Sequence, residues 1–203
     1  MNIQEYLEKI KTLKNDIIYY LDHDVNNEEY YQNLVSLFEN QGIKSTNYDL
    51  KLLLKLLIKI SNNHYRHPNF FSKIEKIILY FKKEMKQNFS NYEIFNICKN
   101  NKRILLFLFE EKIIFLDNRL FEIITSQHYS EMKYPEYFSP EIKQYITEHQ
   151  LNQNKDNKIQ SLIKKISINL ESNFEEKRKI GENDSIICKL IQKDSIDDFI
   201  SYV

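Results

Sequence analysis

The chain has 203 residues, 42% of them hydrophobic and 29% charged, which fits a packed soluble protein and argues against global disorder. Its 29 basic residues balance its 29 acidic ones, so a whole-chain electrostatic footprint for nucleic acid or acidic membrane is absent, and any such site has to be local. With 2 Gly, no Trp and no Ala, the core must be built from large side chains, and a Gly-rich phosphate loop is excluded.

Amphipathic helices are predicted along the first half of the chain, because hydrophobic residues recur there at steps of three and four. Two sequence pairs have the spacing of a capping box, in which a hydroxyl and a carboxylate three residues apart satisfy exposed backbone N–H groups at a helix start. The predicted elements are a helix over about 2–22, a second that Asn26 or Asn27 caps and Gly42 ends, a third opened by Thr46 and Asp49, a fourth from Pro68 to Met85, and a fifth opened by Ser90 and Glu93.

The third predicted helix should be the most deeply buried. Between Leu50 and Ile60 the only polar residues are Lys51, Lys55 and Lys59. Because these lysines are four residues apart, they share one stripe of the helix, and every other face is apolar. We therefore expect this helix to lie at the centre of the fold with its lysine edge in solvent.

The helical pattern continues through the second half of the chain. The predicted elements are a helix over about 102–112, one after Asp117, an ordered Tyr- and Pro-rich loop over 128–140, a helix from Ser139 to about His149, a polar linker over 150–158, and helices over 159–170, 174–180 and 186–203. No strand is predicted with any partner. The predicted fold class is therefore all-α, with antiparallel helix pairs stacked like a solenoid, and the predicted domains are 1–149 and 159–203.

The cysteines and histidines do not form a recognisable catalytic or metal motif. Cys98 and Cys188 lie far apart and beside apolar residues in helical patterns, which is typical of small core residues. His64 and His67 have a metal-like spacing, but a closed zinc site needs four ligands, and Cys98 is the one further candidate. Without a G-x-S-x-G, H-E-x-x-H or Walker sequence, we expect no enzyme, no cofactor, no metal and no small-molecule substrate.

No targeting or membrane-spanning segment is evident in the sequence. Residues 1–20 carry charges throughout and lack the apolar core of a signal peptide. The most apolar stretch, Leu50–Ile60, is interrupted by three lysines and is too short to span a bilayer. The expected location is the cytosol, with the nucleus left open.

A local basic patch is the one candidate binding site. Lys51, Lys55 and Lys59 lead along the third helix towards Arg66 and His67. Such a patch would suit an acidic partner or phosphate groups. The alternative is a solvated edge, whose lysine stems cover apolar surface and keep the helix soluble. Both interpretations stay open at this point.

Four segments resemble the trichomonad family of ankyrin-repeat-like proteins. They are Asn173–Ser185 (NFEEKRKIGENDS) with the following residues 186–200, Ser61–Phe71 (SNNHYRHPNFF), Asn101–Lys112 (NKRILLFLFEEK) and Lys133–Lys143 (KYPEYFSPEIK). The resemblance implies a helical N-terminal region that leads into degenerate repeats, with Leu190–Val203 at the start of the array. It implies protein interaction as the role, and it carries over no catalytic residues.

The expected function is therefore that of a non-catalytic protein-interaction or scaffold segment with one or more protein partners. Two alternatives remain. One is a basic-patch binder of nucleic acid or acidic lipid, although the balanced net charge argues against nucleic acid. The other is a structural N-terminal cap that covers the open end of a repeat array and has no partner of its own.

Overall fold

A computed structural model describes residues 3–23, 28–63, 69–149, 157–168 and 174–180. Every regular element within these ranges is helical, so the all-α class is confirmed. The elements are α1 (Ile3–Asp22), α2 (Glu28–Asn40), a 3-10 turn (Ile43–Ser45), α3 (Asn47–Asn63), α4 (Phe70–Tyr80), α5 (Lys82–Asn88), α6 (Asn91–Cys98), α7 (Lys102–Glu110), α8 (Asn118–Ile124), α9 (Gln127–Glu131), α10 (Tyr134–Tyr137), α11 (Ser139–Glu148), α12 (Asn157–Ile168) and α13 (Phe174–Ile180).

The helices form two compact units, divided between Phe115 and Leu116. In the first unit α1 packs against α2 and α4, α3 packs against α4 and α6, and α6 packs against α7. In the second unit α10 contacts α9, α11 and α12. The predicted solenoid stacking and the predicted domains stay predictions, as does the linker, because residues 150–156 lie outside the described ranges.

Helix α3 is buried along most of its length, as its sequence predicts. Leu50, Leu53, Leu54 and Leu57 are almost completely buried, as is Ile60 near the end of the helix. Burying one such side chain is worth about 1.5–3 kcal/mol relative to leaving it exposed. Because so many apolar residues share this helix, its burial contributes strongly to the stability of the first unit.

Three predicted helix starts are confirmed by their capping geometry, whereas Asn26 and Asn27, the predicted caps of the second helix, lie outside the described residues. The backbone N–H of Glu93 donates to Ser90 Oγ over 3.3 Å, and the Glu93 carboxylate accepts from the backbone N–H of Ser90 over 2.9 Å, completing the capping box of α6. Thr46 Oγ1 accepts from the backbone N–H of Asp49 over 3.0 Å at the start of α3. Asp117 Oδ1 likewise caps α8. Each such cap is worth about 1 kcal/mol.

The predicted fourth helix is wrong in its extent, because the chain leaves the helical path at Phe81. The backbone N–H of Phe81 bonds to the carbonyl of Ile78, three residues back, instead of continuing the α-helical ladder. The Phe81 side chain is nonetheless fully buried in the core. The periodic pattern from Pro68 to Met85 therefore covers two helices, α4 and α5, and Pro68 itself lies outside the described residues.

The predicted sixth helix ends at Glu110 rather than Lys112, because Lys112 takes a left-handed conformation with φ of 53°. Its N–H bonds to the carbonyl of Phe109 over 3.0 Å, and the N–H of Ile113 bonds to that of Leu108 over 2.9 Å. This pair of bonds is a Schellman motif, in which glycine normally occupies the left-handed position. A lysine there costs roughly 1–2 kcal/mol.

The prediction of a loop over 128–140 is wrong, because these residues form α9, α10 and the start of α11. Pro135 and Pro140 occupy the first turns of α10 and α11, where a missing N–H breaks no helical bond. Tyr134 and Phe138 are fully buried, so the segment is part of the core of the second unit.

Helix α13 is tied to α10 and α11 by a buried arginine. Arg178 forms a two-pronged ion pair with Glu141, with N–O distances of 2.8 and 2.9 Å, and also donates to the carbonyl of Tyr137 over 2.8 Å. The Tyr137 hydroxyl donates in return to the carbonyl of Arg178. Helix α12 begins at Asn157, inside the predicted linker, and the predicted helix over 186–203 lies outside the described residues.

The core assignment predicts the effect of an aspartate at two buried positions. Leu53→Asp or Ile78→Asp should lower the free energy of unfolding by roughly 3 kcal/mol or more, since each places an unpaired charge among apolar side chains. Leu79→Asp is the matched control, because the neighbouring Leu79 is 40% exposed and should tolerate the change far better. Urea unfolding of the three variants measures this, and equal losses for Ile78→Asp and Leu79→Asp would show that the faces of α4 are misassigned.

Candidate binding surface on helix α3

Three lysines form the exposed edge of α3. The structure places Lys51, Lys55 and Lys59 in solvent, each one turn from the next. Together they span about 12 Å along the helix axis, since each residue advances 1.5 Å. We call these three residues the lysine stripe. The predicted patch also includes Arg66 and His67, which lie outside the described residues.

The lysine stripe has no carboxylate partner among the described residues, unlike several other lysines of the first unit. Those lysines form ion pairs, with N–O distances of 3.5 Å for Lys9–Asp49, 3.5 Å for Lys44–Glu84, 2.7 Å for Lys76–Glu28 and 2.9 Å for Lys82–Glu111. Within the described ranges, none of the stripe lysines makes such a pair. Like charges one helical turn apart repel each other, so the stripe carries an electrostatic cost that an acidic ligand would relieve.

Helix α6 brings one carboxylate within electrostatic range of the stripe. The pKa of Glu93 is lowered, chiefly by its hydrogen bonds with Ser90 and additionally by the charge of Lys51. Glu93 is already held in the capping box of α6, so its oxygens are committed to that helix start. The charge of Glu93 therefore offsets part of the positive potential at Lys51 without forming an ion pair with it.

A buried polar cluster fixes the end of α3 beside the start of α7. The Asn101 side-chain amide donates to Ser61 Oγ over 2.9 Å and to Asn62 Oδ1 over 2.8 Å. Its carbonyl oxygen accepts from the backbone N–H of Ile104 over 2.9 Å and so caps α7. Asn101 and Ser61 are buried, so the bonds of Asn101 with Ser61 and with the backbone of Ile104 are costly to break, whereas Asn62 is exposed. The cluster therefore gives the stripe a rigid support.

Cys98 is placed where it cannot act as a nucleophile. Its side chain is almost completely buried, and this burial raises the pKa of the thiol to about 12. A reactive cysteine needs a lowered pKa and access to its substrate. The second cysteine, Cys188, and the histidine pair His64 and His67 lie outside the described residues.

No three His, Cys, Asp or Glu side chains lie together as metal ligands within the described part of the chain. None of the described helices has both the length and the apolar character needed to cross a membrane.

A cleft between α1 and α2 was not predicted from the sequence. It has a volume of about 340 Å³ and is lined by Asp16, Tyr19, Tyr20, Tyr30, Asn33, Leu34 and Leu37. The available signal was the doublet Tyr19–Tyr20 followed by Tyr30–Tyr31 on the next helix. That signal indicates aromatic residues at facing positions, but not whether they enclose a space.

Comparison with protein-family models, with curated proteins and with solved structures finds no match to this chain. The ankyrin-like resemblance seen in the sequence therefore stays a prediction.

The burial of Cys98 predicts a pH-dependent stability component. The pKa of a thiol in the unfolded chain is near the ordinary value of 9.0, whereas that of folded Cys98 is about 12. The unfolded state therefore loses this proton first. The contribution of the protonated Cys98 thiol to the free energy of unfolding is complete below pH 9 and is lost as the pH rises towards 12.

Urea unfolding of the parent and of Cys98→Ala measures this component, because the other titrating groups cancel in the difference. The free energy of unfolding of the parent, relative to that of the variant, should fall by about 2 kcal/mol between pH 8 and about pH 10.5. A difference independent of pH would mean that the thiol is accessible in the folded protein.

Proposed function

We propose that this chain is a non-catalytic protein-interaction segment, working in the cytosol or the nucleus, and that the lysine stripe of α3 binds an acidic segment of a partner protein. The observation that carries the proposal is the set of three exposed lysines on one rigid helix without carboxylate partners, in a chain whose net charge is zero. The buried Cys98 adds support for a non-catalytic role, since its raised pKa removes it as a nucleophile.

The spacing of the stripe defines the chemistry of the partner. Lysines one turn apart are about 6 Å from each other along the axis, which matches carboxylates one turn apart on an acidic helix. Exposed ion pairs are individually weak, so they would mainly speed association and set the orientation. Leu52 and Leu56, which are only partly buried beside the stripe, offer apolar contact area along the same edge.

A protein partner is favoured over nucleic acid or acidic lipid by the composition of the stripe. Its described part consists of lysines alone, whereas phosphate recognition commonly uses the two-pronged donors of arginine. Nor does the zero net charge supply the broad positive field that such ligands attract. If the ankyrin-like resemblance holds, the same segment would also cover the first repeat of an array.

A pair of triple variants tests the proposal. The first is Lys51→Glu/Lys55→Glu/Lys59→Glu, and the matched control is Lys14→Glu/Lys83→Glu/Lys86→Glu, which reverses three exposed lysines elsewhere in the same unit. Both triples change the net charge by the same amount. The tagged parent and both variants are used to capture partners from cytosol, and bound proteins are quantified by mass spectrometry.

We expect the parent and the control to capture the same partner set and the stripe variant to lose it. Equal losses in the two variants would indicate a bulk charge effect, and an unchanged set in the stripe variant would place the site elsewhere. Heparin chromatography tests the alternative: retention that falls steeply with salt and disappears only in the stripe variant would favour a polyanion-binding surface over a protein-binding one.

A further inference from the structure

The cleft between α1 and α2 has an aromatic wall and an apolar floor. The floor is formed by Tyr20 and Leu34, which are both buried. The wall is formed by Tyr19 and Tyr30, whose ring centroids lie 5.3 Å apart with their planes at 85°. Two nearly perpendicular rings present a face and an edge to the same space, and aromatic faces attract cations through their negative charge density.

The residues that line the cleft carry a negative formal charge, and the buried Lys73, which lies outside the lining, has its Nζ 5.7 Å from the ring centroid of Tyr20 in the floor. Asp16 is the one lining residue that carries a formal charge, and neither Lys nor Arg lines the space. Asp16 is exposed and makes no ion pair within the described part of the chain. The cleft therefore combines an unneutralised carboxylate with aromatic surface, which is the combination that recognises organic ammonium groups.

Other tyrosines of the same unit already carry lysine cations. Lys76 Nζ lies 3.8 Å from the ring centroid of Tyr31, Lys44 Nζ lies 3.8 Å from that of Tyr80, and Lys73 Nζ lies 5.7 Å from that of Tyr20. Tyr19 and Tyr30 have no such cation among the described residues. Both rings also contact the His23 ring, with centroids 3.9 Å from Tyr19 and 5.0 Å from Tyr30, so a cation from outside would meet the ring surface that lines the cleft.

The wall is held in place by neighbouring contacts. The His23 ring lies against Tyr19 with centroids 3.9 Å apart, and His23 Nδ1 lies 2.7 Å from the carbonyl oxygen of Tyr19. Glu28, at the start of α2, is engaged by Lys76 over 2.7 Å and by Gln32 over 2.8 Å. These contacts fix the end of α1 and the start of α2, the two helix segments between which the cleft lies.

We propose that this cleft binds a methylated ammonium group, with the ring faces of Tyr19 and Tyr30 against the methyl groups and Asp16 neutralising the charge. A fully methylated, quaternary ammonium suits the site because it is weakly hydrated and has no N–H group that needs a hydrogen-bond acceptor. The volume of about 340 Å³ lies at the small end of ligand sites and accommodates such a head group with a short chain. This inference is independent of the lysine stripe.

The test is a titration of the isotope-labelled protein followed by NMR, with choline and tetramethylammonium as ligands. We expect saturable shifts centred on residues 16–37. Tyr30→Leu and Tyr19→Leu should each weaken binding about tenfold, and Asp16→Asn should weaken it several-fold. The matched controls are Tyr48→Leu, an exposed tyrosine outside the cleft, and Glu8→Gln, an exposed acid on the same helix, and both should bind like the parent.

The neutral analogue of choline, in which carbon replaces nitrogen, decides whether charge matters. Equal binding of the two would overturn the proposal and leave an apolar cleft, and so would the absence of any saturable shift. Peptides with trimethylated or unmodified lysine identify the source of the ammonium group. Preference for the trimethylated peptide over choline assigns the ligand to a modified protein side chain, and the reverse assigns it to a small molecule. Unchanged circular dichroism and unfolding midpoints in the variants exclude loss of fold as the cause.

Discussion

The burial of α3 is the constraint on which the rest of the first unit depends. A helix with eight apolar residues between Leu50 and Ile60 has to be covered on most of its surface, and α4, α6 and the 3-10 turn provide that cover. The lysine stripe is left in solvent, as are residues at the two ends of the helix such as Tyr48 and Asn62. The candidate binding surface is thus a direct consequence of core packing, because the lysines occupy an edge of α3 that stays exposed among the described residues when its apolar faces are buried.

The shortage of small residues shapes the rest of the structure. Without Ala, and with only 2 Gly, helices meet through large side chains, as in the edge-to-face contact of Phe38 and Phe81 with centroids 5.1 Å apart. The same shortage places Lys112 and Lys133 in left-handed positions that glycine usually fills. At two contacts between elements of the first unit, a lysine ammonium lies over a tyrosine ring, as Lys44 does over Tyr80 and Lys76 over Tyr31. Between α1 and α2, tyrosines line an open cleft instead.

Local features of the fold could be predicted from the sequence, whereas features that depend on tertiary contacts could not. Capping pairs such as Ser90 and Glu93 fix helix starts within a few residues, and the apolar pattern of α3 fixes its burial. The break at Phe81 could not be predicted, because the buried Phe81 ring continues the apolar spacing of the helix although the Phe81 backbone departs from helical geometry. The segment 128–140 was misassigned because Pro135 and Pro140 begin helices there. The α1–α2 cleft arises from residues on two helices, and no spacing within either one reveals it.

Trace acetylation of the native chain, read by mass spectrometry, tests the central claim that the lysine stripe is the uncovered edge of a buried helix. Lys51, Lys55 and Lys59 should react about as fast in the folded protein as in the denatured chain. Lys73, which is buried and donates to the carbonyl of Leu21 over 3.0 Å, should react far more slowly when folded and provides the internal reference. Protection of the three stripe lysines to the level of Lys73 would contradict the account, because it would mean that another part of the chain covers this edge.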